Sequence, residues 1–327
     1  MTLFLLLVGL ALLLAGGTAL VHGASGVAST YGVSPLVVGL TVVAFGTSAP
    51  ELIVNVVGAL REESALAFGN VVGSNLANLG LVLALAALIK PMTIQGQIVR
   101  RELPLLLLGT TIFLVMTLDG PLLGTDAILT RSEGTTLLLL FSIFIYLSVR
   151  DLIDGRGDAL IENVREVTDS KAGRAMGSPT LMTFWLFVAA GTIGLAFGGH
   201  MTIVHGSAFA EAVGLPPVVV GMVVVAIGTS SPELVTSIIA AWNDESDLCL
   251  GNVIGSNIFN TLFVLPISAM ITPLPIPEGG VNDILLTLAF SVVLIPVFVF
   301  GRAYMNRWVG LAMLLTYVGY MLARSLA

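Results

Sequence analysis

The sequence is poor in charged residues and cysteine, and these shortages exclude several classes of protein and of site. Only 10% of its 327 residues are charged, 56% are hydrophobic, and the mean hydropathy is +1.02. Soluble domains carry about 25% charged residues, so a soluble globular protein is excluded. Cys249 is the single cysteine, which excludes an intramolecular disulfide and a cysteine metal cluster. No run of Lys and Arg is long enough to indicate nucleic-acid binding, so we expect no nucleic-acid partner. The high hydrophobic content predicts membrane lipid around this chain.

Charge is also missing from the N-terminal region, where the first charged side chain is Glu51. The preceding residues have room for roughly two membrane-spanning helices of about 20 residues each. Residues 3–20 lack the basic start of a secretory signal and are too long for its apolar core. We therefore expect a retained helix there rather than a cleaved signal.

The apolar runs predict an all-α membrane protein with ten transmembrane helices, five in each half. An odd number of helices per half places the second half upside down in the membrane, as in the inverted repeats of secondary transporters. We expect a first five-helix repeat at 1–150, a cytoplasmic linker at 151–178 and a second, inverted repeat at 179–327. The expected helices cover residues 2–22, 34–60, 66–89, 101–118, 134–150, 180–200, 216–242, 248–271, 281–300 and 307–324.

Positive charge gives the expected orientation in the membrane. With ten spans, Arg61, Arg131 and Arg324 fall on one side, and the other ten of the thirteen basic residues fall on the opposite side. Because cytoplasmic loops are enriched in Lys and Arg, the second side is predicted to be cytoplasmic. Both termini then lie outside, and the chain is predicted to be a multi-pass protein of the cell (inner) membrane.

An internal duplication is the strongest functional signal. Pro35–Pro91 aligns with Pro217–Pro273 without a gap, and about half of the positions are identical. Both copies contain Gly-Thr-Ser-X-Pro-Glu inside a long apolar run, and Gly-Asn-Val-X-Gly-Ser-Asn follows. Glu51 and Glu233 therefore occupy equivalent positions in two hydrophobic segments. An ionisable residue in such a place indicates a functional site, because lipid does not tolerate it without a partner.

The Gly-Thr-Ser-X-Pro-Glu segments predict interrupted helices 2 and 7 at the centre of the molecule. Pro50 and Pro232 each remove a backbone donor, and Gly46 and Gly228 add flexibility. Freed carbonyls at membrane depth must face protein, water or an ion. Together with hydroxyl and carboxylate oxygens they are the ligands that suit Na⁺ and Ca²⁺. The third and eighth helices add Ser74, Asn75, Asn78, Ser256, Asn257 and Asn260.

A purely structural role is the alternative for these motifs. A single proline kink beside a Ser or Thr is usually structural, and glycines spaced by four, such as Gly69 and Gly73, usually serve helix packing. However, no Lys or Arg lies inside the four helices of the two repeats. Two acids without bases, repeated with the same neighbours, favour a bound cation.

The first and sixth helices are predicted to form a gate. They lack charge over most of their length and are rich in glycine, which keeps a surface smooth and lowers the barrier to sliding across the central four helices. The glycines concerned are Gly16, Gly17, Gly191, Gly194, Gly198 and Gly199.

At these residues the sequence resembles the sodium/calcium exchanger family of the cation/calcium exchanger superfamily. The alpha-repeats of that family are similar to Val38–Pro91 and Val220–Pro273. The resemblance implies an antiporter, not an enzyme, that exchanges Ca²⁺ for Na⁺ by alternating access at a mid-membrane site. We expect no cofactor and no obligatory protein partner. The ion ligands it implies are Glu51, Glu233, Thr47, Ser48, Thr229, Ser230, Ser74, Asn78, Ser256, Asn260 and the carbonyls of Ala44 and Ala226.

One position departs from the family pattern. Well-studied members often carry an aspartate where this chain has Asn260, opposite the asparagine that matches Asn78. Two carboxylates therefore remain instead of three. An amide supplies a similar shape and an oxygen, but it neither titrates nor balances another cation.

Three other functions compete with sodium/calcium exchange. A proton/calcium antiporter of the same superfamily is the nearest, since two facing carboxylates can release Ca²⁺ by taking up protons. A cation channel needs a lined pore and usually symmetric assembly around it, whereas inverted symmetry within one chain favours alternating access. A hydrolase is disfavoured because Ser48 and Ser230 have no histidine or lysine base in the repeats.

Overall fold

The structure, a computed structural model, describes residues 2–61, 64–93, 101–118, 127–154, 180–212, 230–299 and 304–326. Nearly all of the described chain is helical. Six of its helices are long and apolar enough to cross a membrane by length and composition, which agrees with the predicted multi-pass class. The count of ten membrane spans and their inversion stay predictions.

We number the helical segments of the described residues in chain order. Those of the first half are α1 (Thr2–Tyr31), α2 (Pro35–Leu60), α3 (64–89), α4 (Leu103–Thr117) and α5 (Arg131–Asp154). Those of the second half are α6 (Leu181–Ala212), α7 (Ser231–Trp242), α8 (Ser246–Ile271), α9 (Gly280–Val299) and α10 (Arg307–Leu326).

Two helices extend about ten residues beyond their predicted C-terminal ends. α1 continues from the expected end at residue 22 to Tyr31, and α6 continues from residue 200 to Ala212. The extensions contain small polar residues, which fit within a helix. The composition therefore does not indicate where either helix ends. A helix longer than the bilayer is accommodated by tilt.

The predicted interruption of α2 at Gly46–Pro50 is wrong in its position. Ala44–Leu60 is α-helical with Pro50 inside it, and the irregularity is a π-helical segment at Gly39–Val43, directly before it. Proline removes only one backbone donor, and π turns and hydroxyl side chains restore bonding around such points in membrane helices. The Thr47 hydroxyl lies 3.3 Å from the carbonyl oxygen of Ala44, on the same turn of the helix.

The corresponding prediction for α7 falls largely on Gly228 and Thr229, which lie outside the described residues. The described helix begins at Ser231 with Pro232 in its first turn, where a missing N–H has no helical partner to lose. Ser230 precedes it with non-helical backbone angles (φ −92°, ψ 11°).

Two further π-helical segments interrupt α3 and α8. They span Asn78–Leu83 and Asn260–Val264, and each begins at one of the repeat-related asparagines. Single π turns inside α-helices are frequent at functional sites, because one extra residue per turn reorients the side chains around it. The asparagines are thus placed where the helical register changes.

α3 and α8 form the centre of the molecule, and α1 and α6 lie at its edge. Over their membrane-length windows, 78% of α3 and 94% of α8 is buried, against 33% of α1 and 22% of α6. This arrangement agrees with a core bordered by two peripheral helices. Lipid-facing helices keep apolar side chains exposed, as Phe4 and Phe197 are here.

The glycines of α1 and α6 pack these two helices against each other. A Cβ on Gly16 would lie 2.8 Å from the backbone nitrogen of Leu195, and one on Gly191 would lie 2.5 Å from that of Leu20. Such backbone contact requires glycine. The sequence prediction assigned these glycines to the surface facing the core. Four of the six instead join α1 to α6, whereas Gly17 faces α7 and Gly199 borders a cavity beside Pro50.

Two short strand pairs connect the halves. β1 (Met92–Thr93) pairs with β4 (Tyr304–Met305), and β2 (Ile128–Leu129) pairs with β3 (Leu274–Pro275), both antiparallel. β1 and β3 are equivalent positions of the duplication, so each copy gives a strand to the opposite half. A two-fold relation between the halves produces such an exchange.

Arginine caps repeat the same exchange. Arg307 at the start of α10 donates to the carbonyl of Ile89 at the end of α3 (3.4 Å). Arg131 at the start of α5 donates to the carbonyl of Ile271 at the end of α8 (3.1 Å). These contacts place the connection after α3 beside that before α10, and the connection after α8 beside that before α5, as the predicted topology requires.

Candidate functional site

The two glutamates of the duplication are buried at the centre of the fold. Glu51 on α2 is 2% exposed and Glu233 on α7 is 1% exposed. The Ser48 hydroxyl, one turn before Glu51, donates to Oε1 of Glu233 at 3.0 Å. The structure thus brings both halves of the duplication to one point.

Thr47 links α2 to α8 beside this point. Its Oγ1 donates to Oδ1 of Asn252 at 3.0 Å and lies 3.4 Å from the Ser256 hydroxyl. Ser256 and Asn252 are four residues apart and share one face of α8. The predicted residues Thr47, Ser48 and Ser256 are therefore assembled with Glu233 in one polar centre.

Many polar atoms of this core have no hydrogen-bond partner within the described residues. Both carboxylate oxygens of Glu51 and Oε2 of Glu233 are among them, as are the amides of Asn78 and Asn260 and the hydroxyls of Ser74 and Ser230. Buried polar atoms are nearly always paired in proteins, so a cluster of unpaired oxygens indicates a ligand. Oxygen atoms of carboxylates, amides and hydroxyls suit Na⁺ or Ca²⁺.

The charge of this centre is set by its two carboxylates. Within the described ranges, no group of three or more His, Cys, Asp and Glu side chains is placed to hold a metal ion. The described Lys and Arg residues near α2, α3, α7 and α8 lie at helix ends, as Arg61 and Lys90 do. The centre thus combines neutral oxygen atoms with two carboxyl groups.

Two of the predicted ligands, Ala226 and Thr229, lie outside the described residues. Ala44, the counterpart of Ala226, is 1% exposed. The roles of all twelve residues in binding ions stay predictions.

Four polar residues of the site were not selected from the sequence. Asn252 donates to Ser237 Oγ (3.0 Å) and to the Glu233 carbonyl (3.4 Å). In the first half, Asn70 donates to Oδ1 of Asn55 (2.8 Å). Asn70 and Asn252 belong to the repeated Gly-Asn-Val string, so the duplication itself was the signal that identifies them.

A cavity borders Glu51. It has a volume of about 110 Å³ and lies between α2, α3, α6 and the start of α7. It extends from Glu51 past Val54, His200 and Ile203, toward the C-terminal ends of α2 and α6. The carboxylate without partners is therefore beside the open space.

A multi-helix membrane fold with a buried, oxygen-lined centre built from two repeats defines a membrane transporter. Comparison with protein families matches residues 1–150 and 183–326 to the family described as sodium/calcium exchanger protein. The chain belongs to the sodium/calcium exchanger family, as the repeated motifs predicted.

Relatives match over nearly the whole chain. Inner membrane protein YrbG of Escherichia coli is 35% identical over 93% of this chain and 88% of its own length. Sodium/calcium exchanger MaX1 of Methanosarcina acetivorans is 31% identical over 97% of this chain and 96% of its own. Among solved structures, the sodium-calcium exchanger NCX_Mj soaked with Na⁺ and Sr²⁺ matches with a TM-score of 0.81 and 26% identity, over 98% of this chain and 97% of that one.

Proposed function

We propose that this protein is a secondary active antiporter that exchanges Ca²⁺ for Na⁺ by alternating access at the centre between Glu51 and Glu233. The observation that carries the proposal is that both carboxylate oxygens of Glu51 and Oε2 of Glu233 are buried without a partner among the described residues. An uncompensated pair of charges in a membrane interior is costly. A cation that enters and leaves removes this cost during each half of a transport cycle.

The charge of the centre determines which ion combinations it carries. With both glutamates ionised, one Ca²⁺ or two Na⁺ neutralise it, and a third Na⁺ leaves one positive charge. Moving one charge across 100 mV is worth about 2.3 kcal/mol. Because Asn260 supplies no third negative charge, exchange is electrogenic only if three Na⁺ occupy a doubly charged site.

Exchange of Ca²⁺ against protons is the second candidate. It is favoured by the two nearby carboxylates, since crowding of like charges promotes protonation of one of them. In this case a proton, rather than Na⁺, displaces Ca²⁺ from Glu51 or Glu233.

Ca²⁺ flux into inverted membrane vesicles distinguishes these functions. Vesicles receive radioactive Ca²⁺ under an imposed Na⁺ gradient, an imposed pH gradient or neither. Saturable uptake driven by the Na⁺ gradient supports sodium/calcium exchange, and uptake driven only by the pH gradient supports the second candidate. Rapid, non-saturable flux without any gradient overturns antiport in favour of a channel.

We place the protein in the cell (inner) membrane with both termini outside and the 151–178 linker in the cytoplasm. The name of the Escherichia coli relative supports the membrane, and the distribution of Lys and Arg supports the orientation. A membrane-impermeant reagent should label a cysteine placed in the linker only from the cytoplasmic side, and labelling from outside contradicts the orientation.

A further inference from the structure

The two glutamates have unequal surroundings despite their equivalent places in the duplication. Glu233 accepts a hydrogen bond from Ser48 at 3.0 Å. The equivalent bond would run from Ser230 to Glu51, yet the Ser230 hydroxyl and both Glu51 oxygens lack partners within the described residues. One carboxylate is held by the opposite half, and the other is free to meet an ion.

Asn252 and its counterpart Asn70 show the same difference. Each donates to the equivalent position of its own half, Ser237 for Asn252 and Asn55 for Asn70. Asn252 additionally donates to the backbone carbonyl of Glu233 at 3.4 Å and accepts from Thr47 at 3.0 Å. Asn70 makes no such bond to the Glu51 carbonyl among the described hydrogen bonds, and Thr229, the counterpart of Thr47, lies outside the described residues.

Open space follows this asymmetry. Asn70 and Glu51 both border the cavity of about 110 Å³ that extends toward the ends of α2 and α6. On the other half, α1 lies tightly against α7, since a Cβ on Gly17 would be 2.8 Å from Val235 Cγ1. Thr236, the repeat counterpart of the cavity-lining Val54, is fully buried there. The cavity thus borders the half without these bonds, whereas the bonded half is packed at the equivalent position.

We propose that Asn252 and Asn70 are positioning residues that hold the two glutamates in turn. In the present state Asn252 fixes the Glu233 backbone and Thr47, which keeps that half closed while Glu51 faces the cavity. When access changes sides, the repeat relation exchanges the roles, so Asn70 bonds the Glu51 carbonyl and Asn252 releases that of Glu233. The inference rests on the proposed alternating access and adds which side chains favour each state.

Two repeat-equivalent cysteine reporters measure the balance between the states. In a background with the buried native Cys249 replaced by alanine, Val54→Cys reports opening beside Glu51, and Thr236→Cys reports opening beside Glu233. A membrane-impermeant thiol reagent is applied to each from the face toward which its half opens. The ratio of the two labelling rates is proportional to the equilibrium constant between the states.

The two asparagines are expected to move this ratio in opposite directions. Asn252→Ala removes the bonds of the present state, so the ratio of Val54→Cys to Thr236→Cys labelling falls about five- to tenfold, as expected for loss of one or two hydrogen bonds. Asn70→Ala removes the bonds of the opposite state and raises the ratio by a similar factor. The double variant returns toward the parental value.

If the two asparagines only stabilise the fold, their substitutions do not shift the labelling ratio in opposite directions. Equal shifts in one direction, or unchanged ratios in both variants, overturn the proposal. If Asn252→Ala does not fold, Asn252→Asp serves instead, because it keeps the acceptor for Thr47 and loses the donor to the Glu233 carbonyl. Labelling needs no ion flux, so a parental protein that carries no Ca²⁺ refutes the proposed function and leaves this test intact.

Discussion

At the scale of single residues, the site depends on neutral side chains as much as on its two acids. Ser48 and Thr47 from one half bond Glu233 and Asn252 from the other. Sequence reasoning identified the acids and hydroxyls because the duplication repeats them in an apolar setting. It did not identify Asn252, since an amide inside a Gly-Asn-Val string has no composition signal of its own, and its role depends on which helices meet there.

Removing either acid charge should abolish Ca²⁺ transport. In Glu51→Gln or Glu233→Gln, one remaining carboxylate does not balance a desolvated divalent ion, so Ca²⁺ uptake should fall by an order of magnitude or more. Asp244→Asn is the matched control, because Asp244 is 81% exposed in a surface pair with Lys90 and such pairs contribute little. Uptake at the parental level in both glutamine variants contradicts the assignment.

Restoring a third acid should change the pH response. Asn260 is fully buried, and both of its amide atoms lack partners within the described residues. In Asn260→Asp a third carboxylate lies with two others, so it binds a proton or an extra cation along with Ca²⁺. When Ca²⁺ flux is measured across the neutral pH range, the pH profile of the variant should differ from that of the parent more than its Ca²⁺ dependence does. A profile identical to that of the parent places Asn260 outside the ion pathway.

At the scale of helices, a π-helical segment before Ala44 takes the place of the complete break that glycine and proline suggested in α2. Pro50 lies within a continuous α2, and the π turns of α3 and α8 begin at Asn78 and Asn260. The spacing and composition of the apolar residues predicted where these helices lie. A π turn adds one residue to a helical turn, and no distinct pattern in the sequence indicates it. The glycines of α1 and α6 were found from composition, but the partner that they pack against required the structure.

Crowding the contact between α2 and α6 should slow transport. A Cβ at Gly46 would lie 2.8 Å from the Thr192 hydroxyl oxygen, so Gly46→Ala overpacks this contact by about 1–3 kcal/mol. We expect a several-fold lower rate of Ca²⁺ uptake. Shortening the opposing side chain in Gly46→Ala/Thr192→Ala should restore much of the rate, and a double variant as slow as the single one shows that Thr192 is not the obstacle.

Joining α1 to the core should stop transport while leaving ion binding intact. Gly17 on α1 and Val235 on α7 are close enough for a disulfide between cysteines at these positions. In the Cys249→Ala background, oxidation should abolish Ca²⁺ flux, and reduction should restore it. Each single-cysteine variant is the control for oxidation. Unchanged flux in the oxidised pair means that α1 does not move relative to α7.

At the scale of the whole molecule, the halves are interlocked rather than merely adjacent. β1 pairs with β4 and β2 with β3, and Arg131 and Arg307 each cap a helix of the opposite half. The duplication predicted that Glu51 and Glu233 face one another, because two acids without bases in lipid favour a bound cation. It did not predict the exchanged strands, which are too short to give an alternating pattern.

Equilibrium binding to the purified protein tests the central claim, that Ca²⁺ and Na⁺ compete for one centre made by both halves. Titration calorimetry should give one Ca²⁺ per chain, Na⁺ should weaken this binding in a saturating, competitive manner, and both Glu51→Gln and Glu233→Gln should lose it. Ca²⁺ binding that persists in either glutamine variant, or that is unaffected by Na⁺, contradicts the account.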